Sequence, residues 1–313
     1  MIVWNGIERV PADVSPVVAT VGNFDGVHRG HGAILEATVS AARRRGTLSV
    51  LVTFEPHPLS VVDPERRPRL LMTRRQKLLA LEATGLEAVL ILAFGPEMAA
   101  LDGEEFFLRT LGTRLPLAAV HVGESFRFGR GRAGDLTFLK RIGATAGIEV
   151  VGVPPVTVDG AVVSSSAIRS LVEGGDVERA RLMLGRPFAV TGLIVRGAGR
   201  GKSLQFPTAN LGFENELLPR PGVYVTETSV LALRVPSVTN VGLRPTFDGS
   251  ALSVETHLID FEDDLYGERA EVLFLARIRD EQRFAGPSEL SDQIARDRAA
   301  AVAFFHNLEL RSR

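Results

Sequence analysis

Short apolar runs alternate with stretches of helical periodicity over residues 1–185. The apolar runs are continuous and rich in Val, Ile and Leu, which is typical of parallel strands that are covered on both faces of a sheet. The stretches between them carry apolar residues at helical spacing, and most of them end near a glycine. The runs are 16–24, 48–54, 88–94, 118–123 and 149–154, and the stretches are 30–46, 73–85, 103–115 and 135–147. This alternation predicts a doubly wound α/β domain with a parallel sheet.

The pattern changes after Gly185, which can end a helix, and Pro187 blocks its continuation. Beyond this point strand-like runs follow one another without helical stretches between them, at 188–195, 222–235, 237–243, 252–261 and 270–278. Glycines and prolines separate these runs, as in an antiparallel sheet or a small β-barrel. A last helical stretch covers residues 287–308. We therefore predict two domains: residues 1–185 with the α/β sheet, and residues 186–313 with an antiparallel β-barrel and a terminal helix.

The composition restricts the cellular location and the kinds of binding partner that we expect. The chain has 313 residues and a net charge of −1, which gives no support for nucleic acid or a membrane surface as a partner. It contains no cysteine, which excludes disulfides and zinc–thiolate sites and fits a reducing compartment. The N-terminal stretch does not read as a signal peptide, and no run approaches the ~20 apolar residues of a membrane span. We expect a cytoplasmic protein that binds small molecules, and the sequence leaves open whether it forms a homo-oligomer.

Candidate chemistry begins where the first predicted strand ends, in the stretch VGNFDGVHRGH. In a doubly wound sheet, ligands bind beyond the carboxyl ends of the strands. A helix that begins there offers free backbone N–H groups and a partial positive charge to a phosphate. Gly22, Gly26 and Gly30 are expected to allow tight turns and close approach of a ligand, and His28 and His31 can donate hydrogen bonds to phosphate oxygens. The stretch therefore favours a nucleoside triphosphate site.

The H-x-G-H arrangement in this stretch resembles the signature of the nucleotidyltransferase superfamily. The longer string GNFDGVHRGH resembles the adenylyltransferase domain of bacterial bifunctional riboflavin kinase/FAD synthetases, and TFEPHP, VGESFRFGRGRAGD and VSSSAIR match the same pattern. The resemblance implies a Rossmann-like nucleotidyltransferase domain that joins FMN to the AMP part of ATP and releases pyrophosphate. It implies His28 and His31 as catalytic residues, Gly22, Phe24, Asp25, Gly30, Ser164, Ser165 and Arg169 as ATP-binding residues, and His57, Ser125, Phe126 and Phe128 as flavin-binding residues.

The second chemical stretch is RGAGRGKSLQFPTANL, a glycine-rich basic loop in the C-terminal half. Its PTAN tetrapeptide resembles the signature of riboflavin kinases, and the segments NVGLRPTF, SVETHLIDF and RDEQRF resemble other parts of that family. The resemblance implies that Thr208 and Asn210 hold ATP phosphates and Mg²⁺, whose preferred ligands are hard oxygens, and that Glu255 is the base toward the ribityl hydroxyl. The full implied set is Gly199, Gly201, Lys202, Pro207, Thr208 and Asn210 for ATP, Thr208 and Asn210 for the metal, and Arg279 and Phe284 for the flavin.

Together the motifs imply a bifunctional enzyme of flavin-cofactor biosynthesis that uses ATP and Mg²⁺ to convert riboflavin to FMN and FMN to FAD. Two residues depart from the family's loop, Lys202 in place of Arg and Gln205 in place of Gly. Lys keeps the charge of Arg without its bidentate geometry, and Gln would strain a backbone of positive φ. Two alternatives therefore stay open: an FMN adenylyltransferase with an impaired kinase domain, and a flavin-binding regulator without catalysis.

Basic residues outside these motifs are assigned to the solvated surface. This group contains Arg66, Arg67, Arg74, Arg75 and Lys77.

Overall fold

The computed structural model describes residues 1–196, 208–246 and 249–311. It divides the chain into two compact units, residues 1–69 with 74–164, and residues 70–73 with 165–313. This division by packing differs from the predicted boundary after residue 185, which refers to the limits of the two catalytic domains and stays a prediction. Within the described residues, the predicted α/β sheet and the antiparallel barrel with a terminal helix are both confirmed.

The first unit is built on a six-stranded sheet of order β1-β4-β3-β2-β5-β6, in which all neighbouring strands are parallel. The strands are β1 Ile2–Asn5, β2 Val17–Val21, β3 Leu48–Glu55, β4 Ala88–Ala93, β5 Leu117–Gly123 and β6 Glu149–Val153. Every residue of β2 is buried, as expected for a central strand. Strand β1 was not predicted, because it is a short edge strand in which only Trp4 is buried and it has no continuous apolar run.

The helices of the first unit are α1 Arg29–Arg45, α2 Leu59–Val62, α3 Arg74–Glu82, α4 Pro96–Ala100 and α5 Leu136–Ala146. Helix α5 begins at Asp135, whose carboxylate accepts a hydrogen bond from the Phe138 N–H (2.8 Å), and it ends at the left-handed Gly147. The predicted helix at 103–115 is largely a π-helix, Glu105–Leu111. Its buried Phe106 and Leu111 lie five residues apart, which suits a helix with i→i+5 hydrogen bonds.

The second unit is a closed antiparallel barrel of order β10-β13-β12-β11-β14-β9 in the part of the chain that the structure describes. A two-stranded sheet, β7 Thr157–Val158 with β8 Ala161–Val162, precedes the unit in the chain. The barrel strands are β9 Phe188–Val195, β10 Ala209–Phe213, β11 Gly222–Val230, β12 Leu233–Thr246, β13 Gly249–Leu258 and β14 Arg269–Arg279. The helices are α6 Ser165–Gly174, α7 Val177–Leu184 and α8 Pro287–Arg311. Helix α7 ends at Gly185 with φ 80°, as its sequence predicts.

One predicted strand of the barrel is wrong. Residues 222–235 form two antiparallel strands that turn at Leu231 and Ala232, both with positive φ (51° and 62°). Such a turn usually contains Gly, Asn or Asp, so its apolar sequence hid it.

The terminal helix covers one outer face of the barrel. Ala301 of α8 is fully buried in a cluster with Val225 and Leu275, and Phe304 and Phe305 pack against the same cluster. This apolar face accounts for the packing of the helix against the barrel.

Candidate active sites

The loop between β2 and α1 carries the first predicted site, and its backbone is strained. Gly26 has φ 87°, as expected of glycine, but Phe24 and Val27 also have positive φ, at 50° and 37°. A β-branched residue at positive φ is a true outlier, and such strain is concentrated at functional sites. Gly22, which lies at a bend, and Gly30, in the first turn of α1, do not have positive φ; an added Cβ at these positions would instead meet the ring of Phe24 or of His28.

The two histidines of H-x-G-H form a rigid pair. His28 is the N-cap of α1, and its Nδ1 accepts a hydrogen bond from the backbone N–H of His31 (3.2 Å). In the neutral ring the proton is therefore on Nε2, so His28 presents an Nε2–H donor. The ring of His31 stacks between those of His28 and Phe24, with centroids 3.6 Å and 4.5 Å away. Since His28 is only 5 % exposed, its donor has a fixed direction.

Gly30 keeps the space that the His28 ring needs. A Cβ at this position would lie 3.2 Å from Cε1 and Nδ1 of that ring and 3.5 Å from the carbonyl oxygen of Val163. The ring is fixed by its cap and its stack, so it has little freedom to move aside. The small residue in H-x-G-H is thus explained by the position of the first histidine.

The predicted flavin residue His57 follows β3 and is connected to the same loop. Its Nδ1 accepts a hydrogen bond from the Leu59 N–H (3.2 Å), and its Nε2 lies 3.1 Å from the side-chain amide of Asn23. The amide atom at that distance is Nδ2; because Nδ1 of His57 is an acceptor, the neutral ring carries its proton on Nε2, and this hydrogen bond requires the Asn23 amide to be turned over so that Oδ1 accepts. Asn23 was not among the predicted site residues, although it stands inside the motif GNFDG.

One residue assigned to the surface lies instead beneath these loops. Lys77 of α3 donates from Nζ to the Thr53 hydroxyl (2.8 Å), and that hydroxyl donates to the backbone carbonyl of Asn23 (3.3 Å). Burial of the ammonium lowers the pKa of Lys77 from 10.5 to about 8, against the opposing effect of Glu55 and Asp25. The expectation of a solvated Lys77 is therefore wrong. The arginines placed on the surface with it, Arg66, Arg67, Arg74 and Arg75, are exposed as expected.

The predicted flavin residues after β5 lie in different surroundings. Ser125 is exposed and Phe126 is partly buried, and both are accessible to a ligand. Phe128 is a core residue, with its ring centroid 4.9 Å from that of Phe107 and 5.9 Å from that of Phe138. Its ring also stacks on that of Phe126, with centroids 5.3 Å apart.

The serine motif is divided between the two compact units. Ser164 is the last residue of the first unit, and Ser165 begins helix α6 in the second unit. Arg169 lies in the second turn of α6 rather than the expected first turn.

The second predicted site is a row of polar side chains across three barrel strands. Asn210 on β10 is paired with Glu255 on β13, and Glu255 is paired with Asn240 on β12. Residues directly opposite each other in an antiparallel sheet place their side chains on the same face. Thr208 immediately precedes β10, beside this row. Asn240 was not among the predicted site residues, although it begins the quoted segment NVGLRPTF.

Behind that row, the barrel interior contains a cluster of buried hydroxyl groups. Thr226 lies 2.8 Å from Ser237 and 2.7 Å from Thr239, and Thr239 donates to Thr256 (2.9 Å). Thr228 completes the cluster through Ser237 (2.8 Å). All five side chains are at most 1 % exposed, and each hydroxyl has a partner, as buried polar groups require.

The predicted flavin residues at the end of β14 lie close together. The Arg279 guanidinium is 5.8 Å from the centroid of the Phe284 ring, in cation–π geometry. The same guanidinium donates to both carboxylate oxygens of Asp297 in α8, at 2.7–3.1 Å, and to the backbone carbonyl of Asp280, at 2.9 Å; the Asp297 carboxylate is almost fully buried. Arg279 therefore fixes the segment after β14 to the terminal helix.

Several predicted residues lie outside the described residues. They are Gly199, Gly201, Lys202, Gln205 and Pro207. In the part of the chain that the structure describes, no three His, Cys, Asp or Glu side chains come together as a metal cluster. The donors expected at PTAN are of other types, a hydroxyl and an amide.

Comparisons with known proteins cover nearly the whole chain. The sequence model of a family described as FAD synthetase matches residues 10–167, and that of a family described as riboflavin kinase matches residues 184–305. Two proteins named bifunctional riboflavin kinase/FMN adenylyltransferase are each 38 % identical to it. The match to the Escherichia coli K12 protein covers 92 % of both chains, and the match to the Pseudomonas fluorescens protein covers 95 % of this chain and 96 % of that one.

A solved structure matches at similar length. A crystal structure from Streptococcus pneumoniae, described as a macrolide-efflux protein, is 29 % identical with a TM-score of 0.89, and covers 96 % of this chain and 99 % of that one. None of the helices described here is long and apolar enough to cross a membrane.

Proposed function

The chain belongs to the family of bifunctional riboflavin kinase/FMN adenylyltransferases, and from this premise we propose which of its residues carry each reaction. It is an enzyme with both activities: it phosphorylates riboflavin to FMN with ATP, and it transfers an adenylyl group from ATP to FMN to give FAD. We assign adenylyl transfer to residues 1–185 and the kinase reaction to residues 186–313. We also propose a cytoplasmic location, from the composition.

Adenylyl transfer takes place at the start of α1. A phosphate oxygen of FMN attacks the α-phosphorus of ATP, a new P–O bond forms, and the bond to the oxygen shared with the β-phosphorus breaks to release pyrophosphate. Negative charge grows on the α-phosphoryl oxygens and on the leaving oxygen. His28 donates its Nε2–H to these oxygens, and the positive end of the dipole of helix α1 adds to the positive potential.

The remaining residues of this reaction bind and orient the substrates. His31, held against His28 and Phe24, acts on the same phosphates. Gly22, Asp25 and Gly30 line the loop, and Ser164, Ser165 and Arg169 stay assigned to ATP through their motif. His57, Ser125 and Phe126 stay assigned to the flavin. The single observation that supports this site best is the hydrogen bond from the His31 N–H to Nδ1 of His28 at the cap of α1, which leaves Nε2 as the donor of the neutral ring.

The kinase reaction takes place at the polar row of the barrel. Glu255 accepts the proton of the ribityl hydroxyl as its oxygen attacks the γ-phosphorus of ATP, and the bond to the β–γ bridging oxygen breaks to release ADP. The paired positions of Asn210 and Glu255 support this assignment, since they place an amide oxygen and a carboxylate on one face of adjacent strands. We keep Gly199, Gly201, Lys202 and Pro207 as ATP-binding residues, and Arg279 and Phe284 as residues of the flavin side.

Mg²⁺ fits the donor groups of this row. Thr208 and Asn210 offer a hydroxyl and an amide oxygen, which are hard ligands suited to Mg²⁺ together with phosphate oxygens and water. When bound there, the ion would neutralise charge on the transferred phosphoryl group.

The two assignments are tested with two substrates and two variants. Purified protein is incubated with MgATP and either riboflavin or FMN, and the flavins are separated by chromatography. His31→Ala is expected to abolish FAD formation and leave FMN formation intact. Glu255→Gln is expected to abolish FMN formation and still make FAD from added FMN. Equal loss of both products in either variant would refute the assignment of separate sites.

A further inference from the structure

A chain of hydrogen bonds runs from α3 to both substrate loops of the adenylyltransferase site. Lys77 donates to Thr53 near the end of β3, and Thr53 donates to the Asn23 carbonyl in the loop after β2. The Asn23 side chain in turn contacts Nε2 of His57 in the loop after β3. These hydrogen bonds therefore connect the loop that carries His28 and His31 to the loop that carries His57.

The Lys77 ammonium, where this series of hydrogen bonds begins, lies near two carboxylates. The charged groups that act on the Lys77 ammonium are Glu55 of β3, Asp25 of the β2–α1 loop, and Arg74 on its own helix. Glu55 also forms an ion pair with Arg74, with Nε and Oε2 3.4 Å apart. Asp25 is buried, with 6 % of its surface exposed. An ammonium in this position offsets the two carboxylates where two anionic substrates, ATP and FMN, are to bind.

A purely structural role does not account for a lysine here. Removing an ammonium from water is costly, and apolar residues fill such a position at least as well when only packing is needed. The other basic residues of this segment, Arg74 and Arg75, are exposed, whereas Lys77 is partly buried and its ammonium is hydrogen-bonded to Thr53.

We propose that Lys77 is a positioning residue of adenylyl transfer: its ammonium, acting through Thr53 and Asn23, holds the loops of His28 and His57 in the arrangement that receives ATP and FMN. The inference rests on the proposed adenylyltransferase site. It predicts that protonated Lys77 is the active form.

The sign of the pH dependence follows from this. The pKa of Lys77 in the free enzyme is about 8, so the positioning charge is present below this pH and is lost above it. The kcat/KM for FAD formation should therefore fall on the alkaline side near pH 8. Bound anionic substrates stabilise the ammonium and so raise the pKa of Lys77. Because kcat reports the substrate-bound enzyme, its alkaline fall should occur at a higher pH than that of kcat/KM.

The experiment compares Lys77→Met and Lys77→Arg with Arg75→Met, a matched control on the exposed side of the same helix. FAD formation from FMN is measured from pH 6 to 10, FMN formation from riboflavin serves as an internal control, and thermal unfolding is recorded for each protein. Lys77→Met is expected to lose roughly 10- to 100-fold in kcat/KM for FAD formation, with kinase activity within about twofold. Lys77→Arg is expected to recover most of the rate, with its alkaline fall moved above pH 9, because guanidinium keeps its proton.

Three outcomes would overturn the proposal. One is Lys77→Met with the same FAD rate as Arg75→Met across the pH range. The second is Lys77→Arg with its alkaline fall still near pH 8, and the third is equal loss of both activities in both Lys77 variants. His31→Ala separates this failure from failure of the site: if His31→Ala abolishes FAD formation while both Lys77 variants behave as wild type, only the role of Lys77 is refuted.

Discussion

Lys77→Met is expected to stabilise the first unit at neutral pH, although it impairs the reaction. Burial of the ammonium is the largest cause of the lowered pKa of Lys77, and the attraction of Glu55 and Asp25 offsets only part of it. In the folded protein the charged form is therefore disfavoured relative to the unfolded chain. Below pH 8 both states carry the proton, so the fold bears the whole cost of the buried charge.

The magnitude follows from the pKa values. A fall from 10.5 to about 8 corresponds to roughly 3 kcal/mol of unfolding free energy. Since the unfolded chain binds more protons between these two values, the stability of the wild type should rise with pH through this window. Lys77→Met removes this cost and loses the hydrogen bond to Thr53, which contributes about 1 kcal/mol. The variant should be about 2 kcal/mol more stable at pH 7. It should become the less stable protein above about pH 10.

The chain offers a probe confined to the unit concerned. Trp4 is the only tryptophan in the sequence, and it lies in β1, in the main core of the first unit. Urea unfolding followed by tryptophan fluorescence at pH 7, 8, 9 and 10 therefore reports this unit without contribution from the barrel. The difference between the two proteins cancels the titration of all other groups.

Parallel stability curves for wild type and Lys77→Met over pH 7 to 10 would refute the reasoning, since the buried charge would then have no energetic effect. Lower stability of the variant at pH 7 would also refute it, because the hydrogen bond to Thr53 would then outweigh the desolvation of the ammonium.

Three further predictions concern the two sites. Gly30→Ala places a Cβ 3.2 Å from the His28 ring, so the rate of FAD formation should fall roughly tenfold or more while the kinase rate stays unchanged. Steady-state kinetics of both reactions test this, and an unchanged rate of FAD formation would show that the ring moves aside. Asn210→Ala should abolish FMN formation at low Mg²⁺ and recover part of it at high Mg²⁺, whereas a loss independent of Mg²⁺ would contradict its role at the ion. Asp297→Ala leaves the Arg279 guanidinium without its buried partner and should destabilise the barrel by about 3 kcal/mol, as measured by urea unfolding followed by circular dichroism; a change below about 1 kcal/mol would show that water replaces the carboxylate.

The sequence predicted most of the fold because each core strand carries its own signal. Strands β2 to β6 coincide with continuous apolar runs, and the helix ends at Gly46, Gly147 and Gly185 coincide with glycines of positive φ. The failures occurred where this local signal is missing. The hairpin turns at Leu231 and Ala232 without a turn residue, and β1 is an edge strand with one buried side chain.

The sites were predicted less completely, because a motif gives identities but no neighbours. Lys77 was placed on the surface because the sequence TRRQK does not distinguish its three basic residues, and only the packing of α3 leaves Lys77 partly buried and hydrogen-bonded to Thr53 while the two arginines are exposed. Asn23 and Asn240 stand inside quoted motifs but acquire a role only from the residues opposite them, His57 and Glu255.

In the barrel, the buried hydroxyl cluster explains how the polar row keeps its alignment. Along β12 and β13, Thr239 and Thr256 are directly opposite each other, one residue before Asn240 and one residue after Glu255. A slip of β13 by one residue would turn Glu255 into the interior and move the Thr256 hydroxyl to the outer face. Such a slip would bury a carboxylate and separate hydroxyl groups that now satisfy one another, and both changes are costly. The cluster therefore selects the register in which Asn210, Glu255 and Asn240 share one face.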